Sequence, residues 1–236
     1  MHRFRVTHHA SIGSTNDEAR RLAAEGAPHG TVIHADEQTA GRGRLTHTWY
    51  SPPGNLYMTV LLRTGLPASR CAELSFVTAL AVADTVEALL PKRIRAMLKW
   101  PNDVLVNGGK IAGILLEQVD DATIIGIGLN VLHAPANLAY MATTLVAHGG
   151  IASVDSARDI LLDRLARHLE VWMEQGFPPI REQWLARTYP IGAAILANAG
   201  GQAFKGDFAG LDVDGALLLD TGGERRRIVA GEVSVV

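Results

Sequence analysis

Apolar side chains recur at helical spacing across residues 69–90, SRCAELSFVTALAVADTVEALL, on more than one face, and the run halts before Pro91; this predicts a deeply buried helix. Residues 155–175 and 178–187 carry the same period, the second stretch opening on the Pro178-Pro179 pair that marks a helix start, with Trp172 and Trp184 as packing residues. STNDEARRLAAEG reads as a capped helix: Ser14 and Thr15 are each followed three residues on by an acid, Asp17 and Glu18, and Gly26 supplies the stop. Elsewhere the pattern is β. GTVIHADEQ and NLYMTVLLR flank a segment rich in glycine and proline, while IRAMLKWPNDVLVNGGKIAGILLEQV and ATIIGIGLNV read as consecutive strands turning at residues 107–109 and 120–121. Their simplest topology is an antiparallel meander. From Thr188 only short β segments remain, separated by Gly and Asp turns, so the chain divides into an α+β domain over 1–187 and a small all-β barrel over 188–236.

Composition then narrows the function classes. With 236 residues and 47% hydrophobic side chains the chain buries a sizeable core. A formal charge of -2 gives no basic excess of the kind that nucleic-acid binders show, so any cationic feature is local. No run approaches the roughly 18 apolar residues of a membrane span, and MHRFRVTHHAS lacks the apolar middle of a signal peptide. The single cysteine, Cys71, rules out an internal disulfide and fits the core of a cytoplasmic protein. The expectation is therefore a cytoplasmic chain with neither membrane nor nucleic acid as partner.

QTAGRGRLTHTWYSPPGNLYM, residues 38–58, is where chemistry concentrates. Gly41 and Gly43 alternate with Arg42 and Arg44, so the backbone can approach a ligand closely while two guanidiniums project toward it. Phosphate or carboxylate is the fitting guest, and Trp49 suits stacking on a nucleobase; a solvated basic loop pinned to the core by Trp49 is the plain alternative. Of the 22 cationic residues only four are lysines, and two of these, Lys99 and Lys110, flank KWPNDVLVNGGK. A lysine presents a compact charge to a phosphoryl or carboxylate oxygen, where the alternative is two lysines at strand ends. Asp103 would hold Lys99, help to hold magnesium, or close an Asx turn. No G-x-x-x-x-G-K-[ST], G-x-S-x-G or H-E-x-x-H occurs, and His8 and His9 would face opposite sides of a strand, so no dedicated metal cage is expected. Arg225 to Arg227 read as a solvated strand edge.

Taken in order, STND (14–17), QTAGRGR (38–44), W.SPPGNLYM (49–58), KWPNDV (99–104), GKIAGILLE (109–117) and IGIGLNV (125–131) resemble the biotin protein ligases, or biotin–[acetyl-CoA-carboxylase] ligases, and GEVSVV resembles their usual ending. The resemblance implies a class II synthetase-like catalytic domain with a mixed, largely antiparallel sheet, followed by an SH3-like barrel. It implies ATP, biotin and Mg2+ as reactants, biotinyl-5'-AMP as intermediate, and a lysine of a biotin carboxyl carrier domain as acceptor. Dimerisation varies in the family, so a homodimer is an allowed state. Carried over by position, Ser14, Thr15, Asn16 and Gln38 would bind or surround the ureido ring, with Gly113 and Leu115 on the pocket wall. Gly41, Arg42, Gly43 and Arg44 would close over biotin and the adenylate phosphate. Lys110 would bridge the carboxyl and phosphoryl oxygens, Lys99 and Asp103 would stand near the phosphates, and Trp49 and Asn130 would meet adenine.

Two departures carry expectations. Where the family often continues Arg-Gly-Arg, this chain has Leu45, Thr46 and His47; fewer charges predict a leakier adenylate, and equal adenylate off-rates after exchanging the triplet would remove the idea. The capped helix begins about 14 residues from Met1, which leaves no room for the winged helix-turn-helix of bifunctional members and predicts a ligase without operator binding. The rival readings are a lipoate ligase or octanoyltransferase, which the GRGR, KWPND and GKIAGILLE motifs disfavour, and a non-catalytic sensor, which would not need Lys110 together with Arg44.

Overall fold

The computed structural model describes residues 4–44, 47–136, 140–151 and 153–235. Seven strands form one sheet: β1 (Arg5–Ile12), β2 (Thr31–Gln38), β3 (Leu56–Arg63), β4 (Ala96–Lys99), β5 (Asp103–Val106), β6 (Gly109–Val119) and β7 (Ala122–Leu129). Their order is β1-β2-β3-β7-β6-β5-β4. The expected meander holds from β4 to β7, and β3 runs antiparallel to both neighbours. Strand β1 pairs with β2 in parallel, the two joined by helix α1 (Thr15–Ala24) as a crossover.

Alternation along the strands decides what covers each face. In β3, Leu56, Met58, Val60 and Leu62 turn to the main core with helix α3 (Leu74–Leu89), while Leu61 faces a smaller cluster with Ala19 and Ala23 of α1. In β7, Ile125, Ile127 and Leu129 face the main core, and Ala122 and Ile124 face α1. Gly126 and Gly128 continue the α1-facing row beyond the helix's N-terminus, and the candidate site lies over them.

The helix expected over 69–90 is two pieces, α2 (Ala68–Cys71) and α3. Around Ala72 and Glu73 the winding tightens to three-residue bonds, Ser75 N to Ala72 O at 3.2 Å and Phe76 N to Glu73 O at 3.0 Å. Glu73 is held there by Arg70 at 2.8 Å and by Trp172 Nε1 at 2.5 Å. Helices α4 (Val154–Gln175) and α5 (Phe177–Leu185) pack over α3, with Trp172 and Trp184 fully buried as expected.

The C-terminal strands β8 (Ala194–Ala199), β9 (Gln202–Leu211), β10 (Leu217–Asp220), β11 (Arg225–Ile228) and β12 (Glu232–Val235) make an antiparallel sheet in the order β11-β10-β9-β8-β12. Arg225 to Arg227 stand on its exposed edge, paired with Asp220, Glu224, Asp212 and Asp214. This sheet joins the main core through Ile195, Phe208 and Leu211, and Trp100 Nε1 donates to the Gly215 carbonyl at 3.1 Å.

Candidate active site

A cavity of about 550 Å³ opens over the α1-facing side of β6 and β7, walled by the start of α1, by residues 42–44 and 47–49, by the β4–β5 turn and by Glu232 and Val233 of β12. Its floor is glycine. Gly113 and Gly128 are directly opposite in the β6–β7 register, and the Trp49 indole lies on both: a Cβ on Gly113 would come within 2.9 Å of the ring, and one on Gly128 would overlap it. A Cβ on Gly126 would overlap the Asn16 amide. Glycine at these positions lets a tryptophan and an asparagine approach the sheet backbone.

The end of the cavity at α1 is a network of neutral hydrogen-bonding groups. Gln38 Oε1 accepts from Thr15 N at 2.9 Å and Thr15 Oγ1 at 3.0 Å, and Gln38 Nε2 donates to Ser51 Oγ at 3.0 Å. The Thr59 hydroxyl lies 2.8 Å from Thr15 Oγ1 and 2.7 Å from Asn16 Oδ1. Ser14 occupies the N-cap position, but its side chain makes no capping bond and lines the cavity instead. The capping expected of Ser14 and Thr15 is supplied from outside the helix: Gln38 satisfies the first amide of α1.

At the middle of the cavity Lys110 Nζ stands 2.7 Å from Asp103 Oδ1, with Lys99 Nζ 3.7 Å from the other oxygen. Two ammonium groups against one carboxylate leave net positive charge in a partly desolvated wall. The rings of Trp49 and Tyr140 flank Lys110 Nζ, each centroid 5.4 Å away. Backbone geometry sets this direction. The β5–β6 register shifts between Val104 and Leu105, so Ile111 is bulged, and the freed amide of Lys110 bonds Met141 O at 2.8 Å. Burial holds the nearby Tyr189 phenol above its ordinary pKa, and the charge of Asp103 adds to this.

Residues 41–43 pair with residues 47–49 through Trp49 N to Gly41 O at 2.9 Å and Gly43 N to His47 O at 2.7 Å. Arg42 is tied to Asp17 at 2.6 Å and to Glu117 at 3.3 Å. Arg44 Nη1 donates to Gly231 O at 3.1 Å, which joins this segment to the C-terminal sheet. Leu45 and Thr46, on which the adenylate-retention expectation turns, lie outside the described residues.

The structure thus brings Ser14, Thr15, Asn16, Gln38, Arg42, Gly43, Arg44, Trp49, Lys99, Asp103, Lys110, Gly113 and Leu115 to one cavity. Two expected residues do not line it. Gly41 is buried beneath Ser51 and Trp49. Asn130, 2% exposed, spends its amide on the carbonyls of Thr143 at 3.1 Å and Lys110 at 3.5 Å, where it supports the strand ends behind the cavity. Sequence reasoning missed Gly126, Gly128, Tyr140, Glu117 and Glu232. Gly126 and Gly128 had a readable trace, a two-residue glycine alternation among the isoleucines of β7; Tyr140 and Glu232 come from distant segments and had none.

Residues 9–131 match the biotin/lipoate A/B protein ligase family and residues 191–236 the biotin protein ligase C-terminal domain. A biotin–[acetyl-CoA-carboxylase] ligase of Paracoccus denitrificans is 41% identical over 95% of this chain and 98% of its own. Among solved structures, the Aquifex aeolicus biotin protein ligase in complex with biotin and ATP is 30% identical, with a TM-score of 0.85 over 98% of both chains. The Leishmania major biotin protein ligase in complex with biotinyl-5-AMP is 25% identical, with a TM-score of 0.70 over 96% of this chain and 99% of that one. A glycine-floored cavity with a neutral hydrogen-bonding end and a lysine-rich middle, on a chain matched along nearly its whole length, places this protein in the biotin protein ligase family.

Proposed function

We propose that this chain joins biotin to protein in two half-reactions at the cavity over β6 and β7, and that the observation carrying this reading is Lys110, held by Asp103 at 2.7 Å between the neutral end and the Lys99 side of the cavity. The biotin carboxylate attacks the α-phosphate of ATP, forming a mixed anhydride, biotinyl-5'-AMP, and releasing pyrophosphate. The amine of an acceptor lysine then attacks the anhydride carbonyl and releases AMP. Two anions about 4 Å apart repel by roughly 4 kcal/mol at an effective dielectric near 20, so a cation is needed where they meet. Lys110 fills that place and Lys99 adds charge on the phosphate side. Thr15, Asn16 and Gln38 offer donors and acceptors to a cyclic urea, and Gly113 and Leu115 border its path. Arg42 and Arg44 carry the hairpin that covers the adenylate, and Trp49 presents its ring face.

Magnesium would enter bound to ATP, where it screens the phosphate charges. Among the described residues no group of three or more His, Cys, Asp and Glu is placed to hold a metal ion, and Asp103 on the cavity wall is committed to both lysines. The acceptor is the carrier domain of a biotin-dependent carboxylase. The free, buried Cys71 suits a reducing cytoplasm, and among the described residues no helix is long and apolar enough to cross a membrane.

ATP–pyrophosphate exchange tests the reading, with biotin, lipoate and octanoate compared for the unmodified protein and Lys110→Ala. Exchange is expected with biotin alone and is expected to fall at least about 100-fold in the variant. Exchange with lipoate or octanoate in place of biotin, or an undiminished Lys110→Ala, would overturn it.

A further inference from the structure

Glu117 is a carboxylate that the two half-reactions do not require, yet it touches both the neutral end of the cavity and the hairpin over it. Its Oε2 accepts from Asn16 Nδ2 at 2.6 Å and lies 3.3 Å from Arg42 Nη2, while Oε1 accepts from Arg20 at 3.0 Å. Its side chain is 18% exposed. We propose that Glu117 is a positioning residue for the acid substrate: it fixes which amide atom of Asn16 faces the ureido ring, and it anchors Arg42 of the covering hairpin with the same carboxylate. The inference rests on the reading that the cavity takes biotin.

The argument is one of donors and acceptors. An asparagine amide has a donor end and an acceptor end of the same size, so its neighbours decide the orientation. Thr59 decides nothing, because a hydroxyl serves either end. Gln38 gives its carbonyl to Thr15 and its amide to Ser51. Glu117, an ionised carboxylate, only accepts, and so draws Nδ2 toward itself and leaves Oδ1 against Thr59 above Gly126. A cyclic urea brings two N–H donors and one carbonyl, and therefore needs acceptors in the wall. With Asn16 reversed, an amide N–H would face a ligand N–H, and a polar pair inside the cavity would go unmade. Arg20 and Arg42 balance the charge of Glu117 at no cost to the cavity's neutral end.

The test uses the full chain in pyrophosphate exchange, with biotin and ATP varied separately. Glu117→Gln keeps size but can donate as well as accept; its biotin KM is expected to rise about ten-fold, with the ATP KM within about two-fold and the melting temperature little changed. Combining Glu117→Gln with Asn16→Asp reverses the pair at unchanged total charge: the new amide donates, and the new carboxylate turns its second oxygen to the cavity. This double variant is expected to recover most of the biotin affinity. A biotin KM unchanged in Glu117→Gln, or equal rises in both KM values with a lowered melting temperature, would overturn the proposal. If Glu117→Gln alone fails to fold, the double variant decides: recovery of fold and biotin KM supports the proposal, and failure of either overturns it. Absence of biotin-dependent exchange in the unmodified protein would instead strike the ligase reading itself.

Discussion

Gly128 shows how little room the site leaves at the level of one atom. Its missing Cβ is the space that the Trp49 indole occupies, so Gly128→Ala would lift the ring from the sheet into the cavity. Exchange activity is expected to fall about ten-fold or more, with both KM values raised, while the melting temperature shifts by only a few degrees, since the displaced ring borders open space. Steady-state exchange beside a thermal melt checks this; full activity would mean that Trp49 need not lie flat on β6 and β7. Lys110 owes its position to a different device. One bulged residue, Ile111, re-aims the strand so that the lysine meets Asp103 from above while its amide is satisfied by Met141. The bulge leaves no motif, whereas Gly128 stands in IGIGLNV without its role being readable there. What the sequence did carry were residue types fit for anions, Arg42, Arg44, Lys99 and Lys110, and all four line the cavity.

Among the elements, the connection leaving β7 is held by one side chain. Asn55, 1% exposed, accepts from the amides of Val131, Leu132 and His133 at 2.9, 2.9 and 3.0 Å and donates to the His133 carbonyl at 2.8 Å. Asn55→Ala would strand several of these groups and is expected to cost about 3 kcal/mol in a urea titration; a loss below about 1 kcal/mol would show that water replaces the amide. The regular elements were largely legible. Helix α4 was expected over 155–175 and spans Val154–Gln175, and α5, expected over 178–187, spans Phe177–Leu185 with the proline pair in its first turn. The β5–β6 and β6–β7 hairpins turn where Asn107 and Asp120 adopt positive φ. Strand β1 was read only as the strand that would separate His8 from His9, without bounds, because at the sheet edge most of RVTHHASI is exposed and alternation fades. The parallel pairing of β1 with β2 was equally hidden, since a crossover through α1 leaves no local mark. The helix break at Ala72 was missed because it preserves the apolar period, and Trp172, which bonds Glu73 there, lies 99 residues away in sequence.

In the whole molecule one core runs from the seven-stranded sheet into the C-terminal strands, past the boundary that composition suggests near residue 187. A partly buried polar knot ties the helices together: Asp84 on α3 meets His168 on α4 at 2.8 Å and Arg187, just beyond α5, at 2.6 Å. Burial alone would raise the Asp84 pKa, but the bonds from His168 and Arg187 outweigh it and hold the pKa below the ordinary aspartate value. A group whose folded pKa is depressed stabilises the native state above its unfolded pKa and loses that contribution as pH falls through the folded value. Asp84→Asn is therefore expected to lower the melting temperature at pH about 7, with the gap to the unmodified protein closing as pH falls through the depressed folded pKa of Asp84; a gap that does not vary with pH would assign the knot to shape alone. The placement of the four tryptophans has an optical consequence. Trp172 and Trp184 are sealed in the core and Trp100 is buried with its indole nitrogen bonded to Gly215, whereas Trp49 lies on the cavity floor beside an ammonium group. Emission from this protein is thus three steady lamps and one that an arriving ligand would shade, so ligand arrival becomes a change of colour and intensity that needs no added label.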